Sequence, residues 1–341
     1  MNTTRHKGES GRASRRVVAV VAAVTFMPWA LPLATGPAAG QAFWREDAPK
    51  LPMAPTWLAE KAELPPYSPP RTPEGVPDLQ GVWGASGGDG LSYLEDHEYI
   101  DVTTPAQETF ISDPPDGKVP YTPWAMARRK EILAGLARGW PGESGERLYA
   151  SPGSYCLYFM PEFSFEEVEI IQQPGAVIML GATGYRVIPT DGRAPFDENA
   201  KFWFGISRGR WEGDTLVVEV TNLNGKSWFD STGHFFSENT RMIERWRLAD
   251  ADTIDYEITI EDPTIYAGPW KMNFPKRRPG TGPQIRGARI PGAVAAGAGR
   301  FEDPYANEYW EVACHEGNGP SAASLRALGF QWFRGVTPPT Q

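Results

Sequence analysis

Between residues 165 and 261 the chain repeats one device: six to ten residues rich in β-branched and aromatic side chains, then a short turn. Residues 165–173 lead across Pro174-Gly175 into 176–182, and Thr183-Gly184 leads on into 185–190. Residues 201–210 turn at Glu212-Gly213-Asp214 into 215–222, and 240–249 turn at Asp250-Ala251-Asp252 into 253–261. Strands joined this closely, with no helix between them, pair antiparallel with their neighbours. A further strand is expected at 307–314, after a Gly/Ala/Arg-rich loop at 280–300. About eight strands of this kind close comfortably into a barrel. The expected fold is therefore mainly β, an antiparallel meander closing into a barrel.

Side-chain alternation orients the strands. Ile254, Tyr256, Ile258 and Ile260 share one face, and Asp255, Glu257, Thr259 and Glu261 the other. On the preceding strand Met242, Glu244, Trp246 and Leu248 share the apolar side, while Arg241, Ile243, Arg245 and Arg247 share the opposite one. Glu244 is thereby placed among apolar neighbours, where a carboxylate is costly unless it is paired or functional.

The rest of the chain is punctuated. Gly and Pro number 36 and 33, so loops are long and helices few. One short helix is expected near 123–138, where Thr122 can cap, Pro123 suits the first position and good formers run on to Gly139. Residues 43–77 are Pro-rich and read as an extended arm, 78–318 as the barrel domain, and 319–341 as a tail with a short helix.

At the N-terminus a basic stretch ending in Ser14-Arg15-Arg16 precedes an apolar run, and Gly40 and Ala42 sit at −3 and −1 of a cut before Phe43. This is the pattern of a signal peptide over residues 1–42, with a pair of arginines that also fits twin-arginine export. Pro28 and Pro32 interrupt the run and argue against a retained membrane helix, so the mature protein is expected to be periplasmic or secreted, with no membrane span. An exported chain with two cysteines suggests a disulfide between Cys156 and Cys314, contributing about 5 kcal/mol in the chain-entropy model. The net charge of −9, part of whose basic complement lies in the leader, disfavours nucleic acid as a partner.

A strand opening Gly81-Val82-Trp83 followed by hairpins resembles the lipocalin-like barrels. A closer resemblance rests on Pro77-Asp78-Leu79-Gln80-Gly81-Val82-Trp83, on Asp113-Pro114-Pro115-Asp116-Gly117-Lys118-Val119-Pro120-Tyr121, and on Trp211-Glu212-Gly213-Asp214-Thr215-Leu216. Glu244-Arg245-Trp246, Tyr256-Glu257-Ile258-Thr259-Ile260-Glu261-Asp262-Pro263 and Cys314-His315-Glu316-Gly317-Asn318 complete the set. In these segments, spread over residues 77–318, the chain is similar to a large family of uncharacterised exported bacterial proteins. That resemblance implies relatives and supplies no reaction. Members of the family usually carry Pro-His before the Ser-Glu that stands here as Ser237-Glu238; this chain has Phe235-Phe236 instead.

Of four histidines His6 leaves with the leader, so His97, His234 and His315 are the mature chain's whole supply of unshifted near-neutral acid/base groups. His234 lies between Asp230 and Glu238, four residues to either side, in a loop expected at a barrel mouth beside Trp228, Phe229, Phe235 and Phe236. One reading is a cofactor-independent lyase, isomerase or hydratase on a small apolar or aromatic molecule. His234 would be its acid/base, oriented by Asp230 or Glu238, and Glu244 a second carboxyl with a pKa raised by burial. Arg245 or His315 would be its electrophilic partner, and Tyr256 and Trp246 would line the pocket. A second reading is a lipocalin-type carrier without chemistry, and a third is a structural envelope protein. The enzyme needs a titratable cluster at the cavity, whereas the carrier needs an aromatic and aliphatic cavity with His234 outside it. No compact zinc spacing, Gly-x-Ser-x-Gly elbow or phosphate-cradling loop occurs, so neither a metal nor a cofactor is expected.

Overall fold

A computed structural model describes residues 46–85, 93–100, 104–136, 168–181, 184–194, 197, 199–278 and 333–338. The expected leader, the disulfide pair, His315, the strand at 307–314 and the helix of the tail lie outside the described residues.

The hairpins of the sequence are present with shifts at their ends, the largest where the strand read at 201–210 runs over Ile206–Glu212. β3 (Val168–Gln173), β4 (Ala176–Gly181) and β5 (Gly184–Pro189) form one antiparallel meander. β6 (Ile206–Glu212), β7 (Thr215–Thr221), β8 (Arg241–Leu248), β9 (Thr253–Glu261) and β10 (Trp270–Arg277) form another. β1 (Gly81–Ala85) joins them: Gly81 to Trp83 pair with β3, and Gly84 and Ala85 pair with β10. The strand order is β5-β4-β3-β1-β10-β9-β8-β7-β6, and a short β2 (Ile111–Asp113) pairs with β10. This sheet curls until its two end strands, β5 and β6, lie side by side without a ladder between them, giving a nearly closed barrel.

Side chains bridge that seam. Arg186 Nε donates to Ser207 Oγ at 2.7 Å, and Gly209 approaches β5 so closely that a Cβ on it would lie 2.8 Å from Ile188 Cγ2. Inside the barrel the alternation read from the sequence holds: Met242, Glu244, Trp246, Tyr256, Ile258 and Ile260 are all buried. Aromatic rings fill much of this space. Trp246 and Tyr256 meet edge-on at 4.5 Å between centroids, Phe274 and Phe110 edge-on at 5.0 Å, and Tyr256 and Phe274 tilted at 5.1 Å. Each such pair contributes about 0.5–1.5 kcal/mol beyond the area it buries.

Among the described residues two helices lie outside the strands. α2 (Pro123–Gly135) starts at the proline the sequence marks, with Thr122 at its N-cap. α1 (Ala54–Ala62) corrects the reading of 43–77 as wholly extended. Proline in its first turn costs no hydrogen bond, because the N–H groups there have no partner within the helix. The Glu108 carboxylate accepts instead from the Met53 N–H at 2.8 Å and the Thr56 N–H at 3.3 Å. α1 docks on β9 and β10, where Trp57 Nε1 donates to Asp255 at 2.9 Å and Lys61 to Asn273 at 2.6 Å.

The long β7–β8 connection crosses one end of the barrel and turns at Gly225, φ +64. A Cβ there would lie 2.6 Å from the Glu238 nitrogen and 2.8 Å from the Ser237 carbonyl carbon. Both are backbone atoms that cannot swing aside. Gly225→Ala should therefore cost about 2 kcal/mol or more from strain and close approach together. A urea denaturation midpoint equal to that of the parent would show that the backbone has room there.

Candidate functional site

Glu244 is fully buried on β8, between Val218 of β7 and Ile258 of β9. It is not alone. Arg186, inward-facing on β5, reaches across the barrel and donates from Nη1 to Glu244 Oε2 at 3.0 Å, with Nη2 2.9 Å from Oε1. Trp246 Nε1 donates to the same Oε2 at 3.0 Å, and the third guanidinium nitrogen holds Ser207. This geometry neutralises the carboxylate with a permanently charged partner. An end strand is thus tied to the middle of the opposite meander through an ion pair.

The same seam carries a cleft of about 440 Å³. Its walls include Tyr185, Val187 and Pro189 of β5, Phe202 and Phe204 ahead of β6, and Ile206. Arg186, Ser207, Arg193 and Arg208 supply the polar groups. Tyr185 and Val187, on the outer face of an end strand, stand 72% and 47% exposed. A large, mostly apolar concavity with a few placed polar groups has the size and character of a small-molecule site.

His234 lies elsewhere. Its loop folds back through a Trp228–Phe235 bridge and the Phe229 N–H donating to the His234 carbonyl at 2.7 Å. The ring is buried between two carboxylates: Nδ1 is 2.7 Å from Asp230 Oδ2, and Nε2 is 3.4 Å from Glu95 Oε1. Asp230 is the knot of this region. It also accepts from the Leu94 N–H at 3.0 Å, the Thr232 hydroxyl at 2.8 Å, the Thr232 N–H at 3.0 Å and the His234 N–H at 3.2 Å. Arg129 of α2 donates to Thr232 Oγ1 at 3.0 Å, and the Tyr121 ring lies parallel to the imidazole at 6.2 Å.

Charge decides the protonation here. Burial alone would lower the pKa of His234, but the charge and hydrogen bond of Asp230, joined by Glu95, outweigh it and the opposing Arg129, and the pKa is raised. Burial pushes Asp230 upward, yet the imidazolium, the Leu94 N–H and Arg129 hold it below the ordinary carboxylate value. Glu95 is likewise lowered against its burial, by the His234 hydrogen bond and charge, the Val119 N–H and Arg129. Burial raises the Tyr121 hydroxyl well above its usual value, with Asp230 and Glu95 adding to the effect and Arg129 opposing it. The cluster holds a proton firmly, and both ring nitrogens face carboxylates.

The other residues singled out from the sequence separate into three places. Trp228, Phe229, Phe235 and Phe236 are fully buried in the plug at the barrel end, where Phe229 meets Trp270 edge-on at 5.5 Å, so they do not form an exposed rim platform. Tyr256 and Trp246 lie in the barrel interior, Trp246 bonded to Glu244. Arg245 faces outward, 3.1 Å from Glu212, and does not share a site with Glu244. Glu238 is exposed, with Lys201 donating to its backbone carbonyl, and Glu95 stands where an orienting carboxylate beyond Asp230 was expected.

Arg186, Glu95 and the cleft aromatics were not singled out from the sequence. Arg186 carried a usable signal, since it shares inward parity with Ile188 as Glu244 does with Trp246. Among the described residues no group of three or more His, Cys, Asp and Glu is arranged to hold a metal ion, and no helix is long and apolar enough to cross a membrane. Comparison with protein-family models, with curated proteins and with solved structures found no match.

Proposed function

We propose that this is an exported binding protein that takes up a small, largely apolar or aromatic molecule in the cleft between β5 and β6 and does no chemistry on it. The observation that carries the reading is the composition of the cleft wall. It combines aromatic and aliphatic side chains with Ser207 and three arginines, and contains no His, Asp, Glu, Lys or Cys. Proton transfer needs a group that titrates near working pH, and arginine remains charged throughout that range. His234, the residue on which an acid/base reading depends, is not part of that wall and is enclosed by its own carboxylates. The leader pattern and the sequence resemblance to exported proteins support the localisation.

The test uses the neutral fluorescent probe N-phenyl-1-naphthylamine and two substitutions at exposed lining positions, Ala194→Trp to fill the cleft and Tyr185→Ala to remove a wall. The probe should bind the parent and lose about tenfold in affinity in each variant, the effect of about 1.4 kcal/mol of lost contact. A metabolite screen by thermal shift should find compounds that raise the parent's melting temperature and not that of Ala194→Trp, because only a ligand of the native state stabilises it. Probe binding indifferent to both substitutions would remove the cleft from the argument.

A further inference from the structure

Resting on the binding reading above, we infer that the molecule the cleft takes is an anion, an aromatic or aliphatic carboxylate whose charged end is held at the outer rim by Arg208 and Arg193. The chain carries a net charge of −9, yet this wall gathers three guanidinium groups and no carboxylate. A neutral apolar guest would need none of them. Arginine presents a planar fork that matches a carboxylate with two hydrogen bonds.

The three arginines are not equivalent, and their existing partners say where the anion sits. Arg186 donates from Nε to Ser207 and from Nη1 to Glu244 Oε2, and its Nη2 sits 2.9 Å from Oε1 as an ion pair without hydrogen-bond alignment. A second carboxylate at that depth would meet the buried Glu244 charge, and repulsion there is poorly screened. Arg208 differs. Among the described residues its ion-pair partner is Glu219, 3.8 Å away, and Glu219 already accepts from Arg241 Nε at 2.6 Å. The side chain of Arg208 is 42% exposed, so its charge is available at the surface of the cleft. Arg193 binds its neighbour Asp191 through Nε and Nη2, with Nη1 outside that contact, and its side chain is 61% exposed. Tyr185 and Val187 place apolar surface along the same wall. The rim thus suits the polar end of an amphipathic guest and the wall its hydrocarbon body.

Calorimetry with 2-naphthoate and its uncharged counterpart 2-naphthamide tests the inference on the full chain. The two share one ring system and differ in charge. At low salt the carboxylate should bind about tenfold tighter, equivalent to about 1.4 kcal/mol and within reach of two partly exposed charge pairs. In Arg208→Gln that preference should fall to about twofold, naphthoate affinity falling several times more than naphthamide affinity. Lys271→Gln, which removes an equal charge from β10, should keep it. At about 0.5 M salt the preference should shrink as the rim charges are screened. Equal affinity of the parent for the two compounds, or a preference that survives Arg208→Gln, would overturn the anion inference while leaving the cleft as a binding site. Absence of binding by both compounds, together with probe fluorescence indifferent to Ala194→Trp, would overturn the binding reading as well.

Discussion

Arg186→Met should destabilise the protein by about 3–5 kcal/mol, because it strands the Glu244 carboxylate in the barrel with its charge uncompensated. The side chains of the pair are 7% and 0% exposed, and after the substitution only Trp246 Nε1 would still donate to Glu244. Arg186→Met/Glu244→Leu should recover most of the loss, ending within about 1 kcal/mol of the parent, since a buried ion pair replaced by apolar groups of similar volume is often nearly neutral. Urea denaturation of the parent, the two single variants and the double variant gives the coupling directly. A single-variant cost below about 1 kcal/mol would mean that water reaches the pair. The pair also bears on shape. β5 and β6 share no ladder, so Arg186, touching Ser207 of β6 and Glu244 of β8, helps hold the seam together. The double variant should therefore keep its stability better than it keeps the cleft, and weaker probe binding in a well-folded double variant is the expected sign.

What the sequence made legible follows from which interactions are local. β9 occupies the residues read for it, Thr253–Glu261, because a strict alternation and two flanking turns specify both its ends and its faces. The start of α2 was legible for a similar reason, since Thr122-Pro123 is a local signal. β10 was missed although Trp270, Met272 and Phe274 alternate, because Pro275 and the basic residues around it imitate a loop. Proline lacks the N–H that a ladder uses and is rare inside a sheet. Pro275 nonetheless stands opposite Asp255 in the β9–β10 register. Hairpin logic also implied a single meander, whereas β1, far earlier in the chain, is inserted between β3 and β10. Turn chemistry says nothing about so distant a pairing.

The site divides along the same line. The inward placement of Glu244 was legible from parity, and Asp230 was legible as a partner of His234 from proximity in one loop. Glu95 was not, because it reaches the imidazole from a segment remote in sequence that carries no periodicity. The cleft itself was invisible for a more general reason. It lies where the first and last strands of the sheet meet without pairing, and alternation within strands carries no information about how a curled sheet closes.

Asp230→Asn is the second large expected effect, about 3–5 kcal/mol of lost stability, because the substitution leaves a buried imidazolium with one of its two counter-charges gone. It would also replace one acceptor oxygen of the carboxylate by an amide that cannot accept, in a group that now takes five hydrogen bonds from Leu94, Thr232 and His234. The pH dependence gives a separate signature. The folded-state pKa of His234 is raised, so its contribution is fully present below the ordinary imidazole value of about 6.5 and is lost as pH climbs through the raised value. Asp230 and Glu95 are lowered, so theirs is present above the ordinary carboxylate value of about 4 and is lost as pH falls through the lowered ones. The cluster should therefore stabilise the fold most between about pH 4.5 and 6.5. The difference in stability between the parent and His234→Gln, measured by urea denaturation from about pH 4 to 9, should be largest in that window and shrink on the alkaline side. A difference independent of pH would show that His234 is held neutral, and the two carboxylates would then need another counter-charge. Because α2, the segment around Leu94 and the β7–β8 connection meet at this cluster, its protonated state fixes one end of the barrel while the cleft lies along the β5–β6 seam. Ligand affinity at the cleft should accordingly change little across the pH range in which the fold itself remains intact.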